Sequence, residues 1–363
     1  MCQAADLGGG PPRPTRPGGS VKGSVPSGAG QPVHSFENPM AETQTLTHSR
    51  MACNRACPRR HWLRYEQGIV PEEEPFFLRV GSAFHYALEQ IENGSDPDAV
   101  AALLDDRVWD DYDRALVVAM VEGHLKRWAG EPFETVAVEQ VFRDMPIINP
   151  DTGATTPVWT LSGKMDRIVR LPDSRKALWE RKTTSRDISP GSDYWVSLEM
   201  DQQLSIYALA ARHIGYDIAT VIYDVTLRPA LRPLKATPEE SRKYTKAGAL
   251  YANQRDRDET PEEFYERVAA DIAAKPDKYF VRQEIARFED DLVECMHEVW
   301  MQQLEIRQNQ RSGYWRRNPG ACFTPFRCDY VSICRSRDLR ERTPFGFKRI
   351  EDVHPELEGP ATE

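Results

Sequence analysis

An α/β architecture, with a central mixed sheet flanked by helices, is predicted by three features of this 363-residue chain. First, apolar residues Trp159, Leu161, Ile168, Val169 and Leu171 run up to Pro172-Asp173-Ser174, and Ala177-Leu178-Trp179 follow. Apolar run, turn and apolar run make a hairpin. Second, residues 197–214 carry a helical period, with Leu204, Tyr207, Ala208 and Ala211 on one side, and lead into the clearest strand, 219–227. Strand, helix and strand in that order form a crossover unit, right-handed if parallel. Third, amphipathic helical stretches stand on both sides of this block.

The elements follow in order. Residues 1–40 are rich in Gly, Pro and Ser, as in Gly8-Gly9-Gly10-Pro11-Pro12, and read as a disordered tail without a catalytic role. Ser49 suits the N-cap of a helix through Met51, Cys53 and Ala56. Pro58 suits the first turn of a second helix, where Trp62 and Tyr65 form an apolar stripe at i and i+3. Those two rings read as core rather than as stacking platforms for bases. A helix over 80–89 has Phe84 and Leu88 as its apolar ridge and places His85 and Glu89 on one face. Two more helices are expected near 97–107 and 110–129, the second carrying Tyr112, Leu116, Met120, His124 and Trp128. Residues 135–141 alternate as a strand with Val136, Val138 and Gln140 on one face, and 149–153 form a turn. Residues 229–260 are polar and Pro-flanked, an insertion placed to touch substrate. Helices near 261–274 and 288–311 flank a short strand at 279–281. One domain is expected over 45–340, made of a helical part (45–130), an α/β core (133–228), the insertion, and a cysteine-bearing helical part (261–340). Residues 341–363 are a second tail.

Composition narrows the function classes. With 40% hydrophobic and 28% charged residues the chain reads as soluble and globular. It has no apolar run of membrane-spanning length, and its first residues lack the apolar core of a signal peptide, which predicts a cytoplasmic protein. The net charge of −9 does not in itself suggest nucleic acid. Local charge does. Residues 48–65 hold five arginines (Arg50, Arg55, Arg59, Arg60, Arg64) and no acid, and residues 307–349 hold eleven basic residues against Asp329, Asp338 and Glu341. Two basic zones on an acidic body can hold a phosphate backbone.

Chemistry concentrates on the hairpin. Asp166 and Glu180 lie on its two strands. If both face one side, their carboxylates converge on a point suited to a hard cation such as magnesium. Lys182 shares a strand face with Glu180. A cation beside a carboxylate-held metal serves phosphodiester hydrolysis, with the metal activating water and the lysine offsetting charge in the transition state. Alone, an acid and a lysine two apart on a strand are usually a solvated face.

Seven cysteines, an odd count in a cytoplasmic setting, argue against a disulfide framework. Cys322, Cys328 and Cys334 crowd one segment with five residues in each gap, which points to metal. Zinc or a cubane cluster takes four thiolates. Cys57, in a similarly basic and aromatic setting, is the first candidate for the fourth, and Cys53 the reserve.

The ordered set His85, Gly163-x-x-Asp166, Glu180-x-Lys182 and Gln203-x-x-x-Tyr207 resembles the PD-(D/E)XK nuclease superfamily in its RecB-like branch. With Cys57-Pro58-Arg59-Arg60 and the late cysteines it looks like the iron–sulfur members, among them the AddB nuclease domain, the CRISPR-associated adaptation exonucleases and the mitochondrial-type single-strand exonucleases. The likeness spans about residues 45–340. It implies a restriction-endonuclease-like core. It also implies a Mg²⁺- or Mn²⁺-dependent DNA exonuclease acting on single strands or DNA ends in replication, recombination or repair, in a phage or bacterial setting. His85, Asp166 and Glu180 would ligate the metal with help from the Arg181 carbonyl. Lys182 would orient the water, and Gln203 and Tyr207 would line the site. Cys57, Cys322, Cys328 and Cys334 would hold a 4Fe–4S cluster, with zinc as the alternative. The family's usual cysteine triad has a two-residue first gap, and here both gaps are five. Rival readings are a non-catalytic iron–sulfur DNA-binding subunit of a recombination complex and an endonuclease on the same fold. No GxxxxGK[ST] phosphate loop occurs, so unwinding would need a helicase or recombination partner protein.

Overall fold

A computed structural model describes residues 43–73, 75–104, 110–324, 326–335 and 343–357. The expected N-terminal tail lies outside them. Strand β1 (Gln44–Leu46) leads into α1 (His48–Ala56). Thr47, not Ser49, caps α1, its hydroxyl accepting from Arg50 N at 3.2 Å. Helix α2 (Pro58–His61) continues into a π-turn at Trp62–Glu66, and β2 (Ile69–Pro71) follows. Helix α3 (Phe76–Glu92) starts a turn before the expected 80. A 3₁₀ turn, Pro97–Ala99, opens α4 (Val100–Leu103), and the end of the helix expected over 97–107 falls in 105–109, outside the described residues. Asp110 caps α5 (Asp111–Arg127) through the amides of Tyr112 and Asp113.

Then come the long strands β3 (Glu134–Ile148), β4 (Thr155–Arg170) and β5 (Lys176–Thr184). The single helix expected over 197–214 is two, α6 (Asp193–Glu199) and α7 (Gln202–His213). Asp201 between them has extended backbone and caps α7 by accepting from Gln203 N at 2.8 Å. Strand β6 (Thr220–Leu227) matches expectation. The insertion contains a 3₁₀ turn, Glu239–Ser241, and one isolated bridge, Tyr244 to Leu250. Helix α8 (Pro261–Ala274) begins on a capping box of Thr260 and Glu263 with Pro261 in its first turn. After α9 (Pro276–Tyr279) the strand expected at 279–281 is β7 (Phe280–Ile285). Helix α10 (Glu289–Ser312) stops at Gly313, whose φ of 65° is the left-handed cap that glycine allows. Helix α11 (Val331–Cys334) carries the last cysteine. Within the stretch expected as a tail, β8 (Phe347–Arg349) pairs antiparallel with β2.

The main sheet is mixed, as expected, and runs β1-β4-β5-β6-β7 with β3 also on β4. β5 and β6 are parallel and in register from Ala177–Thr220 to Thr184–Leu227, which confirms the crossover through α6 and α7. β1 pairs with Trp159–Leu161 and β5 with Arg167–Arg170. Between those contacts, residues 162–166 of β4 have β3 alone as strand partner among the described residues. The sheet forks there, and Asp166 stands in the fork. β3 does not alternate cleanly. Its register shifts three times, and Glu139 and Asp144 adopt φ of 48° and 55°, a sparsely populated region for such residues.

Two apolar clusters hold the layers. One packs α7 and α10 on the sheet around Trp159, Leu204 and Tyr223; the other joins α3, α5 and α8 through Phe84, Met120 and Phe264. Each such large side chain contributes about 1.5–3 kcal/mol through burial. The second cluster seats α3 against the sheet and so fixes His85. No helix among the described residues is long and apolar enough to cross a membrane.

Candidate active site

The site forms where the fork in β4, the middle of β5, α3 and α7 meet. Asp166 Oδ2 accepts from the backbone amide of Arg181 at 2.8 Å. The carboxylate takes the place of a strand carbonyl where the β4–β5 ladder has ended. His85 Nδ1 lies 3.9 Å from the same oxygen. Its helix comes close because of Gly81, where an added Cβ would sit 2.9 Å from Thr183 Oγ1.

Glu180 is buried, at 3% exposure, and accepts from Lys182 Nζ at 2.6 Å. Lys182 Nζ donates again to Gln203 Oε1 at 2.7 Å, and Gln203 Nε2 donates to the Tyr207 hydroxyl at 3.0 Å. Tyr207 packs edge-on against Phe142. Gly163 makes room for both rings: a Cβ there would meet Phe142 at 2.8 Å and Tyr207 at 3.3 Å. The structure thus gathers His85, Asp166, Glu180, Lys182, Gln203 and Tyr207 from four separate elements. Arg181 meets Asp166 through its amide, and its guanidinium pairs with Glu92.

The charges explain the site's electrostatic state. Burial, then the neighbouring Asp166, pushes the Glu180 carboxyl above the usual carboxylate range, against the pull of Lys182. Burial opposes the charge on Lys182, yet Glu180, Asp166 and Asp201 together hold its pKa above the ordinary lysine value. His85 is lowered to about 4, first by burial and then by Arg181 and Lys182 against Asp166, so its imidazole is neutral at pH 7. Two carboxylates that repel each other, with a neutral imidazole beside them, are a donor set that a hard divalent cation fits. Among the described residues no three His, Cys, Asp or Glu side chains already stand at ion-holding distance.

Three neighbours escaped the sequence reading. Asp201 accepts from the Tyr223 hydroxyl at 3.1 Å and lies 3.9 Å from His48 Nε2. Its position just before Gln203, at a helix start, was the available clue. Lys164 pairs with Glu139, whose backbone is left-handed although Val138 and Gln140 on either side keep register with Arg167 and Met165. Burial raises Glu139 to about 7, with Asp166 adding to the effect. Nothing in the local pattern announced Glu139. Behind β5, buried Asp224 accepts from Arg282 at 2.9 Å and Trp179 Nε1 at 3.3 Å and lies 2.8 Å from His124 Nε2.

Four of the cysteines share a second cavity. Cys57, Cys322, Cys328 and Cys334 all line one cavity of about 360 Å³, together with Arg60, Arg317 and Arg327. Cys53 is buried and is not on that wall. Asn318 N donates to Cys57 Sγ at 3.4 Å, and Cys328 N to the Cys322 carbonyl at 2.9 Å. Four thiols on one wall supply the donor type of a thiolate–metal centre, but among the described residues no three of them stand at ion-holding distance.

Comparison with known sequences gives this fold its class, that of a nuclease. The sequence model of the PD-(D/E)XK nuclease superfamily matches residues 45–335, and the chain belongs to that superfamily. No curated protein matches the chain. Among solved structures, that of SSO0001 aligns at 16% identity over 70% of this chain and 84% of its own, with a TM-score of 0.24.

Proposed function

We propose that this nuclease is a Mg²⁺- or Mn²⁺-dependent DNA exonuclease of the RecB-like branch, acting on single strands or DNA ends in replication, recombination or repair. The observation that carries the reading is the unbroken hydrogen-bond chain Glu180–Lys182–Gln203–Tyr207 beside Asp166. His85, Asp166 and Glu180 would hold the metal with the Arg181 carbonyl. When bound, the metal supplies Lewis-acid activation of water and of the scissile phosphate. The chain's own residues do the rest. Lys182, aimed by Gln203, holds the attacking water and offsets charge on the phosphate. Glu180 keeps the ammonium charged. Tyr207 holds the far end of Gln203, and its burial keeps the phenol protonated.

The cysteine cavity is read as the seat of a 4Fe–4S cluster on Cys57, Cys322, Cys328 and Cys334, with zinc as the alternative. Because the first of these stands near the start of the folded chain and the other three near its end, the cluster would staple the two ends of the domain. A helicase or recombination partner would supply unpaired ends.

The test is digestion of labelled single- and double-stranded DNA with Mg²⁺ or Mn²⁺ by the wild type, Asp166→Ala and Lys182→Ala. Stepwise loss of terminal nucleotides by the wild type, reduced on the order of 10²–10³-fold in either variant, is expected by analogy with losing one preorganised charge-stabilising group. Equal cleavage by all three ends the catalytic assignment, and internal cuts alone would make the enzyme an endonuclease.

A further inference from the structure

Past Lys182, β5 continues to its end at Thr184, and Ser185 lies roughly 10 Å further along at about 3.3 Å per residue. There the ends of β5 and β6 open into a separate cavity of about 560 Å³, within the size range of small-ligand sites. Its wall includes Phe76 at the start of α3, Tyr112 at the start of α5, Arg228 just beyond β6, Arg232 of the insertion and Lys278 of α9.

Two properties of that wall point to one ligand. Phe76 is 43% exposed, and the Arg228 guanidinium lies over its ring at 5.3 Å from the centroid. That is a flat aromatic–cation surface facing open space. The charges are also unbalanced. Neither Arg228 nor Arg232 has a carboxylate partner among the described residues, while Asp113, the acid on the wall, is taken by Arg79 at 2.5 Å. An exposed ring with uncompensated cations beside it combines the two elements that bind unpaired nucleic acid, stacking and phosphate attraction.

We propose that this cavity seats the base of an unpaired nucleotide neighbouring the scissile phosphate, stacked on Phe76 with its phosphate held by Arg228 and Arg232. The proposal rests on the nuclease reading of the adjoining site. A paired base must first be unpaired and unstacked, at a cost of a few kcal/mol, so the subsite favours single strands and frayed ends over intact duplex. It also gives the 229–260 insertion a task, since Arg232 comes from it.

Fluorescence anisotropy with the full chain in EDTA separates binding from cleavage. The probes are labelled oligothymidylate and an abasic oligonucleotide of equal length. Phe76→Ala weakens oligothymidylate binding about tenfold, the scale of one lost base–aromatic stack, and leaves the abasic probe unchanged. Phe76→Trp restores binding. Arg228→Ala weakens both probes alike and flattens the salt dependence. Phe76 lies on the surface, so an unchanged melting temperature verifies that Phe76→Ala folds. Equal oligothymidylate affinity for wild type and Phe76→Ala overturns the subsite. Digestion of oligothymidylate by the wild type with Mg²⁺ reads the catalytic assignment separately: a wild type that binds through Phe76 without cleaving fails the catalytic reading alone, and one that cleaves but binds no better than Phe76→Ala fails the subsite alone.

Discussion

Lys182 Nζ stands 2.7 Å from Gln203 Oε1, although one residue lies on a strand and the other on a helix begun by a separate cap. The amide also reaches Tyr207, so it acts as a rigid strut between α7 and the ammonium. Gln203→Ala leaves Lys182 paired with Glu180 alone. We expect kcat to fall on the order of tenfold to a hundredfold, the scale of slight misplacement in an active site, with KM changed less than about twofold. Tyr207→Phe should show a smaller fall of the same kind. Steady-state kinetics on a single-stranded substrate decides the matter, and an unchanged kcat in Gln203→Ala removes the strut.

Gly163 is required by packing. A methyl at this position meets ring carbons of Phe142 at 2.8 Å. Gly163→Ala should cost about 1–3 kcal/mol through overpacking, seen as a lower melting temperature. Adding Phe142→Leu should recover part of the loss. If Gly163→Ala melts like the wild type, the rings are not the constraint.

His61 makes stability depend on pH. It is buried, stacks on Trp315 and accepts from Arg50 Nε at 3.3 Å. Burial, then Arg50, lowers its pKa from 6.5 to about 3. The unfolded chain therefore binds a proton that the folded chain refuses between those values. Its effect on stability is absent above pH 6.5 and destabilises progressively as pH falls from 6.5 to about 3. His61→Gln keeps an acceptor for Arg50 without the titration. Melting temperatures of this variant should decline less steeply than those of the wild type across that window, and parallel curves would refute the assignment.

Cys328 tests the staple. Cys328→Ser should lower iron content and melting temperature together, while Cys53→Ser, off the cavity wall, should leave iron content intact. Unchanged iron and melting temperature in Cys328→Ser would sink the cluster reading, and stoichiometric zinc in its place would convert it to the alternative.

Much of the site was legible because its chemistry lies in short motifs on regular elements. Glu180 and Lys182 share a strand face, and Gln203 and Tyr207 a helix face, by simple period. The break at Asp201 was missed because Leu198, Leu204, Tyr207, Ala208 and Ala211 read as a continuous helical stripe across it, and only the cap shows that the backbone turns extended there. Glu139 was missed for a related reason. The alternation across 135–141 suggested a plain strand, whereas Glu139 within it has a left-handed backbone while its neighbours stay in register. Such a local kink leaves no trace in a period-two pattern.

By itself the sequence determined the α/β class, the hairpin, the crossover and the order of the candidate site motifs, because periodicity, turn chemistry and capping act over a few residues. Only the tertiary structure decided that β4 forks between β1 and β5 and leaves Asp166 facing the Arg181 amide. It alone decided that Cys57 rather than Cys53 shares a cavity with the late cysteines, and that Phe76 and Arg228 stack beside the site. These relationships join residues far apart in the chain. They are set by packing and register across the sheet, which no local run of residues encodes.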